Sequence, residues 1–219
     1  MMENKKMFIS KKDMPETHLK KKVASNIYLT NYKVPFFIYG PTVIAMSIYA
    51  LFFIQTPLAL FLAYFLIAIP LWTLFEYLSH RYVLHAKPKS AFWQKIVYSV
   101  HKGHHDYPND KRFMLVGLNI SIPALFIFYG LSYVALGSLC HSFMAGWVAT
   151  YLFYDWLHFA VHNYNFNNKL YKVYQRHHIE HHFLDSDKNF GFITLLWDEV
   201  FKTKLNKEEK IEKMREAKR

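Results

Sequence analysis

The chain has 219 residues, 53% of them hydrophobic and 19% aromatic, with a formal net charge of +11. Its single cysteine, Cys140, excludes an internal disulfide and a cysteine-based metal site. The charge is confined to three segments separated by two long uncharged blocks, a pattern that fits a membrane topology and argues against a nucleic-acid partner.

Residues 34–75 and 113–154 contain no Asp, Glu, Lys or Arg. A membrane-crossing helix needs about 20 apolar residues, so each block is long enough for a pair of spans. The charged segments 1–33, 76–112 and 155–219 all carry an excess of positive charge. Two hairpins put all three on one side, and the positive-inside rule makes that side cytoplasmic. The expected fold is all-α and integral to a membrane: four transmembrane helices in two hairpins, capped by a cytosolic histidine-rich helical domain. The expected regions are a basic N-terminal tail (1–33), a membrane domain (34–203) and a charged C-terminal tail (204–219). A multi-pass protein of the bacterial inner membrane or the endoplasmic reticulum would have this layout.

In chain order, residues 1–33 are lysine-rich, densest at Lys20-Lys21-Lys22, and read as a solvated tail drawn to anionic lipid. No cleavable signal pattern is expected there, and the lone His18 has no assigned role. Span one is expected over 34–54, broken at Gly40-Pro41, and span two over 58–78, with Pro57 at the turn and Pro70 at a kink. Span two leads from Glu76 to His80 and His85. Five residues correspond to about 140° round an ideal α-helix, so the helix should end between these two histidines or they should serve two metals.

Residues 90–112 form an inner loop with an interfacial helix from Trp93 to Val100, then His101, His104 and His105, then the turn Asp106-Tyr107-Pro108-Asn109-Asp110. Spans three and four are expected over 113–135 and 139–160, with His141 as a packing or outer-surface residue. His158 and His162 share a helix face, and Asp155, one turn earlier, is expected to orient His158 through its second ring nitrogen. After a loop over 163–173, His178, His181 and His182 lie at i, i+3 and i+4 on one face and read as a half-site for a transition metal. Residues 202–219, mixed in Lys and Glu, read as a solvated helix.

Ten histidines thus gather at the inner mouth of the spans: His80, His85, His101, His104, His105, His158, His162, His178, His181 and His182. They exceed the needs of one ion and suit two, with positions left for oxygen or water. All-nitrogen donor sets suit iron, copper, zinc or nickel. Glu76, Asp155 and Glu180 are candidates for holding imidazole tautomers, although Glu180 lies off the His178/His182 face and could meet water instead. His177 is either a supporting residue or surface. Tyr82, Tyr154, Phe159 and Phe192 either line a substrate path or are ordinary interfacial aromatics.

The four boxes HRYVLH, HKGHH, HFAVH and HHIEHH resemble those of the fatty acid hydroxylase superfamily, which includes sterol desaturases and carotenoid hydroxylases. The flanks EYLSHRYVLHAKPKS, HHDYPNDKR, YDWLHFAVH and HHIEHHFLDSDKNFGFITLLWDEVFKT are similar to the catalytic domain of fatty acid 2-hydroxylases, over about residues 70–203. One HxxHH is a weak signal; four boxes in this order with these flanks are specific. The resemblance implies a diiron monooxygenase with the ten histidines as ligands, O2 as co-substrate and a lipid acyl chain as substrate. Zinc would be able to replace iron in purified protein.

Two departures stand out. Eukaryotic members often carry an N-terminal cytochrome b5 domain, which 33 residues cannot hold, so a separate cytochrome b5-like or ferredoxin-like donor is expected. Met114-Leu115-Val116-Gly117 replaces a pair of prolines, which bears on substrate entry. The alternatives are a sterol or carotenoid hydroxylase or desaturase of the same superfamily, or a membrane metal-binding or transport protein. Against transport, the middles of the spans offer almost no polar residues to line an ion path.

Overall fold

The computed structural model describes residues 13–15, 22 and 33–216, so most of the N-terminal tail, with His18, lies outside the described residues. Every element described is helical. Helix α1 is Val34–Ile48 and continues as a π-helical turn, Tyr49–Phe53. The expected break at Gly40-Pro41 does not occur, and Pro41 lies inside α1. Proline removes one backbone hydrogen bond, but an apolar helix in lipid has no competing water to draw the remaining bonds away. A turn through Gln55, at φ +57°, leads to α2, Leu58–Ser79, which continues as a π-helix over His80–Leu84. Pro70 lies inside α2, and the Thr73 hydroxyl donates to its carbonyl at 2.9 Å.

The inner loop holds α3, Ala91–Val97, a π-helix over Tyr98–Lys102, and α4, Gly103–Asp106. Phe92 and Trp93 on α3 are exposed, as an interfacial helix requires. Helix α5 is Leu118–Leu136 and α6 is Cys140–Asn163. The third span therefore starts later than expected. Residues 113–115 are instead buried, Met114 and Leu115 packing with Phe159 at the histidine end of the bundle. Helices α7, Lys169–Phe183, α8, Leu196–Val200, and α9, Lys207–Glu216, complete the chain.

Among the described residues, three stretches are long and apolar enough to cross a membrane: Val34–Phe53, Leu58–Leu84 and Lys111–Asn163. The last contains both α5 and α6, joined by the short turn Gly137–Leu139. Helix α6 is central and packs most extensively on α2 and α1. Its approach to α2 depends on Gly146, where a Cβ would fall 2.2 Å from the Phe65 carbonyl oxygen. Tyr39, Met144 and Val148 form the bundle core, and the Tyr39 hydroxyl donates to Ser121 at 2.7 Å. His141 packs edge-on against Tyr49 and hydrogen-bonds the Tyr129 hydroxyl. The outer faces of the long helices expose Phe37, Phe52, Phe53, Ile127 and Val134, the last at 87%. A belt of this kind suits a hydrocarbon environment.

The C-terminal helix is not simply solvated, as the sequence suggested. Lys210 pairs with Glu180 at 2.7 Å and Lys213 with Asp185 at 3.6 Å, while Lys188 reaches back to Glu209 at 3.1 Å. These pairs hold α9 against α7 and the loop after it.

Candidate metal centre

The ten histidines form two clusters of five. His80, His85, His101, His105 and His181 make one; His104, His158, His162, His178 and His182 make the other. In each, the candidate ligand nitrogens lie within 4.8 Å of one another. The clusters touch: the rings of His105 and His182 stack with centroids 4.1 Å apart.

Of the two expectations for how the helices contribute, one holds and one does not. The helix ends at Leu84, between His80 and His85, and the two serve one cluster although they are five residues apart. The π-helical turn explains this, because the His85 amide bonds to the His80 carbonyl at 3.1 Å, an i→i+5 bond that returns the fifth residue to the same face. The HxxHH triads are not half-sites for one metal. His178 and His182, at i and i+4, stay together, while His181, rotated about 100° from His182, crosses to the His80 cluster. The second triad mirrors the first: His101 and His105 join the His80 cluster and His104 crosses to the other.

Backbone carbonyls set several tautomers. His80 Nδ1 faces the Phe190 oxygen at 2.6 Å, His181 Nδ1 the Lys188 oxygen at 2.6 Å, and His158 Nδ1 the Met114 oxygen at 3.1 Å. A carbonyl only accepts, so the single proton of each neutral ring sits on Nδ1 and Nε2 presents a bare lone pair. Yet His80 Nε2 lies 2.9 Å from His101 Nε2, and His181 Nε2 lies 3.1 Å and 3.2 Å from Nε2 of His85 and His105. In the other cluster, His178 Nε2 has Nε2 of His158, His162 and His182 at 3.1, 2.8 and 3.0 Å. His104 is buried with both ring nitrogens lacking a hydrogen-bond partner. Lone pairs converging in this way repel unless a cation lies among them. Imidazole nitrogens in this number fit a transition-metal ion in each cluster.

Charge points the same way. Burial, then Lys87, pushes His85 down to about 4. Burial, then neighbouring imidazoles, holds His101, His104, His105, His178, His181 and His182 well below the ordinary histidine range. Near pH 7 these rings are neutral, the form that binds metal.

None of the four expected supporting residues is hydrogen-bonded to an imidazole of either cluster. Asp155 does not orient His158, whose Nδ1 is taken by the Met114 carbonyl; Asp155 is buried, and its Oδ2 has no hydrogen-bond partner. Glu76 accepts from the Phe192 amide at 3.4 Å rather than from an imidazole. Glu180 is buried and does not face water; it accepts from Asn189 as well as pairing with Lys210. His177 is buried, outside both clusters, and donates from Nε2 to Asp198 Oδ2 at 2.9 Å. Of the aromatics, Tyr154 and Phe192 contact the His158 ring, Phe159 is buried beside Met114, and Tyr82 is exposed. Sequence reasoning missed the carbonyls of Met114, Lys188 and Phe190, because a backbone acceptor leaves no residue-type signal.

Residues 65–203 match the family described as Fatty acid hydroxylase. The chain belongs to that family. It is 31% identical over 134 residues to the dihydroceramide fatty acyl 2-hydroxylase FAH1 of Arabidopsis thaliana, covering 61% of this chain and 56% of that protein. Against the fatty acid 2-hydroxylase of Rattus norvegicus it is 30% identical over 162 residues, with 69% and 42% covered. It resembles the ceramide very long chain fatty acid hydroxylase SCS7 of Saccharomyces cerevisiae at 29% identity, over 69% of this chain and 40% of that one. The chain spans about half the length of these curated relatives. A solved structure described as full length scs7p, with only the hydroxylase domain visible, superposes with a TM-score of 0.79 at 25% identity, covering 90% of this chain and 74% of that one. Membership of the family bears out the likeness read from the histidine boxes and their flanks.

Proposed function

We propose that the chain is a membrane-bound diiron monooxygenase that uses O2 and two electrons to hydroxylate a lipid acyl chain, at C2 of a fatty acyl group in a sphingolipid or related lipid. The observation that carries this reading is the pair of touching five-histidine clusters in a chain of this family. The named relatives act on fatty acyl or ceramide substrates, which supports the acyl assignment. Overall, a C–H bond, O2, two electrons and two protons give a hydroxyl group and water. When bound, the two irons would supply oxygen activation and the breaking of an unactivated C–H bond. Zinc suits the same nitrogen donors and would occupy the site in some purified samples.

The chain's own residues do the rest. The ten histidines would hold the ions, and the carbonyls of Phe190, Lys188 and Met114 keep three imidazoles in the tautomer that presents Nε2. His104 and His181 are almost wholly buried, so the inner part of the site excludes water. The uncharged blocks and the exposed apolar belt support four spans in two hairpins within a membrane domain over 34–203, flanked by the two charged tails, with the histidine end cytoplasmic. The membrane would be a bacterial inner membrane or the endoplasmic reticulum, and an acyl chain would approach from the bilayer.

Electrons would come from a separate cytochrome b5-like or ferredoxin-like protein. A cleft of about 900 Å³ lined by Lys22, Lys87, Lys95 and Lys102, and by Asp106, which pairs with Lys22, adjoins the segments carrying His85 and His101 and offers an acidic donor a mainly basic surface.

The experiment is mass spectrometry of acyl chains from source cells with and without the gene. Loss of 2-hydroxy acyl species in the deletion supports the proposal, and the affected lipid class names the substrate. Unchanged acyl chains with a missing oxygenated sterol or carotenoid would overturn the substrate assignment.

A further inference from the structure

Beside the two clusters lies a buried polar network that the metal-binding reading does not use. Its centre is Asp198, fully buried at the third position of the short helix α8. Each carboxylate oxygen accepts twice. Oδ1 takes the Phe190 amide at 2.8 Å and the Thr203 hydroxyl at 2.7 Å; Oδ2 takes the Gly191 amide at 2.7 Å and His177 Nε2 at 2.9 Å. Burial alone would raise this carboxyl, but the hydrogen bonds from His177 and Thr203 hold it below its ordinary range. The charge is therefore kept inside the protein with every strong acceptor direction filled.

Asn189 completes the network. It is buried at φ +56°, a conformation that asparagine tolerates better than most residues. Its side chain donates to the His177 carbonyl and to Glu180, and accepts from the Leu205 amide at 2.8 Å. Its own amide donates to the Thr203 carbonyl at 2.8 Å. Gly191 is required two residues on, because a Cβ there would lie 2.5 Å from the Thr194 oxygen and 2.9 Å from Asp198 Oδ2.

The residues pinned in this way include Phe190, whose carbonyl fixes His80, and adjoin Lys188, whose carbonyl fixes His181. Lys188, Asn189 and Phe190 are consecutive; the first and third supply the acceptors at 2.6 Å, and the second and third are the ones tied down. Both imidazoles belong to the His80 cluster. The other cluster takes its carbonyl from Met114, on a different segment. The network thus reaches the His80 cluster through two carbonyl hydrogen bonds, whereas toward the other cluster it offers only the Phe192 ring, packed on His178 and His158.

We propose that Asp198 is a positioning residue for the His80 cluster in preference to its neighbour: through the 188–191 backbone it sets the tautomer and aim of His80 and His181, and so determines how tightly that one ion is held. The inference rests on the two-metal reading above. Replacing supporting partners of metal ligands typically lowers affinity about 10- to 100-fold. In Asp198→Asn the amide nitrogen would face either the Gly191 N–H or another donor, so the loop should loosen while the Met114 side is untouched.

The test is metal content and chelator-release kinetics of purified, iron-loaded protein, with circular dichroism as the check on fold. Wild type should hold about two ions per chain, one per cluster. Asp198→Asn should release one of them about 10- to 100-fold faster and keep the other. Combining it with His105→Ala, which damages the same cluster, should cost no further ion, whereas combining it with His162→Ala should leave only the fast-releasing ion. Should Asp198→Asn fail to fold, His177→Leu and His177→Gln carry the same test: the glutamine keeps a donor toward Asp198 and should restore slow release, the leucine should not. Equal effects on both ions, or none on either, in a folded variant would overturn the inference. A wild-type chain that binds only one ion would overturn the two-metal reading itself.

Discussion

His104, His162 and His181 occupy the two clusters unequally, and this gives the residue scale its sharpest test. His181→Ala should empty the His80 cluster, while His104→Ala or His162→Ala should empty the other. Each should abolish hydroxylation, lower metal content by about one ion per chain and leave helical content intact. Full metal content in any of the three would remove that residue from the ligand set. Asp155 gives the opposite expectation. Its spacing from His158 suggested an orienting role, but the Met114 carbonyl occupies that nitrogen, so Asp155→Asn should leave metal retention unchanged. Metal loss matching that of His158→Ala would show that the carboxylate acts on the site after all. The ten histidines were legible because their residue type and spacing are distinctive. The acceptors that orient them were not, because any residue can present a carbonyl.

At the scale of the element, two helices illustrate how local geometry decides function. The π-helical turn at His80–Leu84 turns a five-residue spacing that a straight α-helix would send to two faces into a pair aimed at one point. Nothing in the residue types of that segment requires the wider turn. It forms where His80, held by the Phe190 carbonyl, and His85 have to meet in one cluster. Helix α6 shows the second case. The Phe65 carbonyl leaves no room for a side chain at position 146, so Gly146→Leu should force α6 away from α2. Overpacking of this kind costs about 1–3 kcal/mol. Thermal unfolding in detergent should show a lowered midpoint, and because His158 and His162 sit on the same helix, metal affinity should fall with it. An unchanged midpoint would mean that the helices can part without loss.

For the whole molecule, the arrangement of the spans is the open quantity that an experiment can read directly. With Cys140 replaced, single cysteines at Gln55 or Ser138 should react with an impermeant reagent added outside intact cells. Cysteines at Asn109 or Asn167 should react only after permeabilisation. Outside labelling at both sets would rule out two hairpins with one cytoplasmic face. The C-terminal helix belongs to this scale too. Its composition suggested a solvated tail, and its surface is indeed polar, but Lys210 and Lys213 dock it on α7 and the loop after it through Glu180 and Asp185. A charged helix looks the same in sequence whether its lysines meet water or carboxylates on a neighbour.

The amino-acid sequence by itself determined the apolar stretches, the family and the ten histidines, since each follows from residue type and local spacing. Only the tertiary structure decided which histidines act together. Within HKGHH and HHIEHH, adjacent histidines point about 100° apart, so both triads split across the two clusters once four helical segments converge. Sequence spacing says which residues share a helix face, but not which of two neighbouring sites that face will meet. That depends on the angles at which the helices pack and on the buried loop 188–191 held by Asp198.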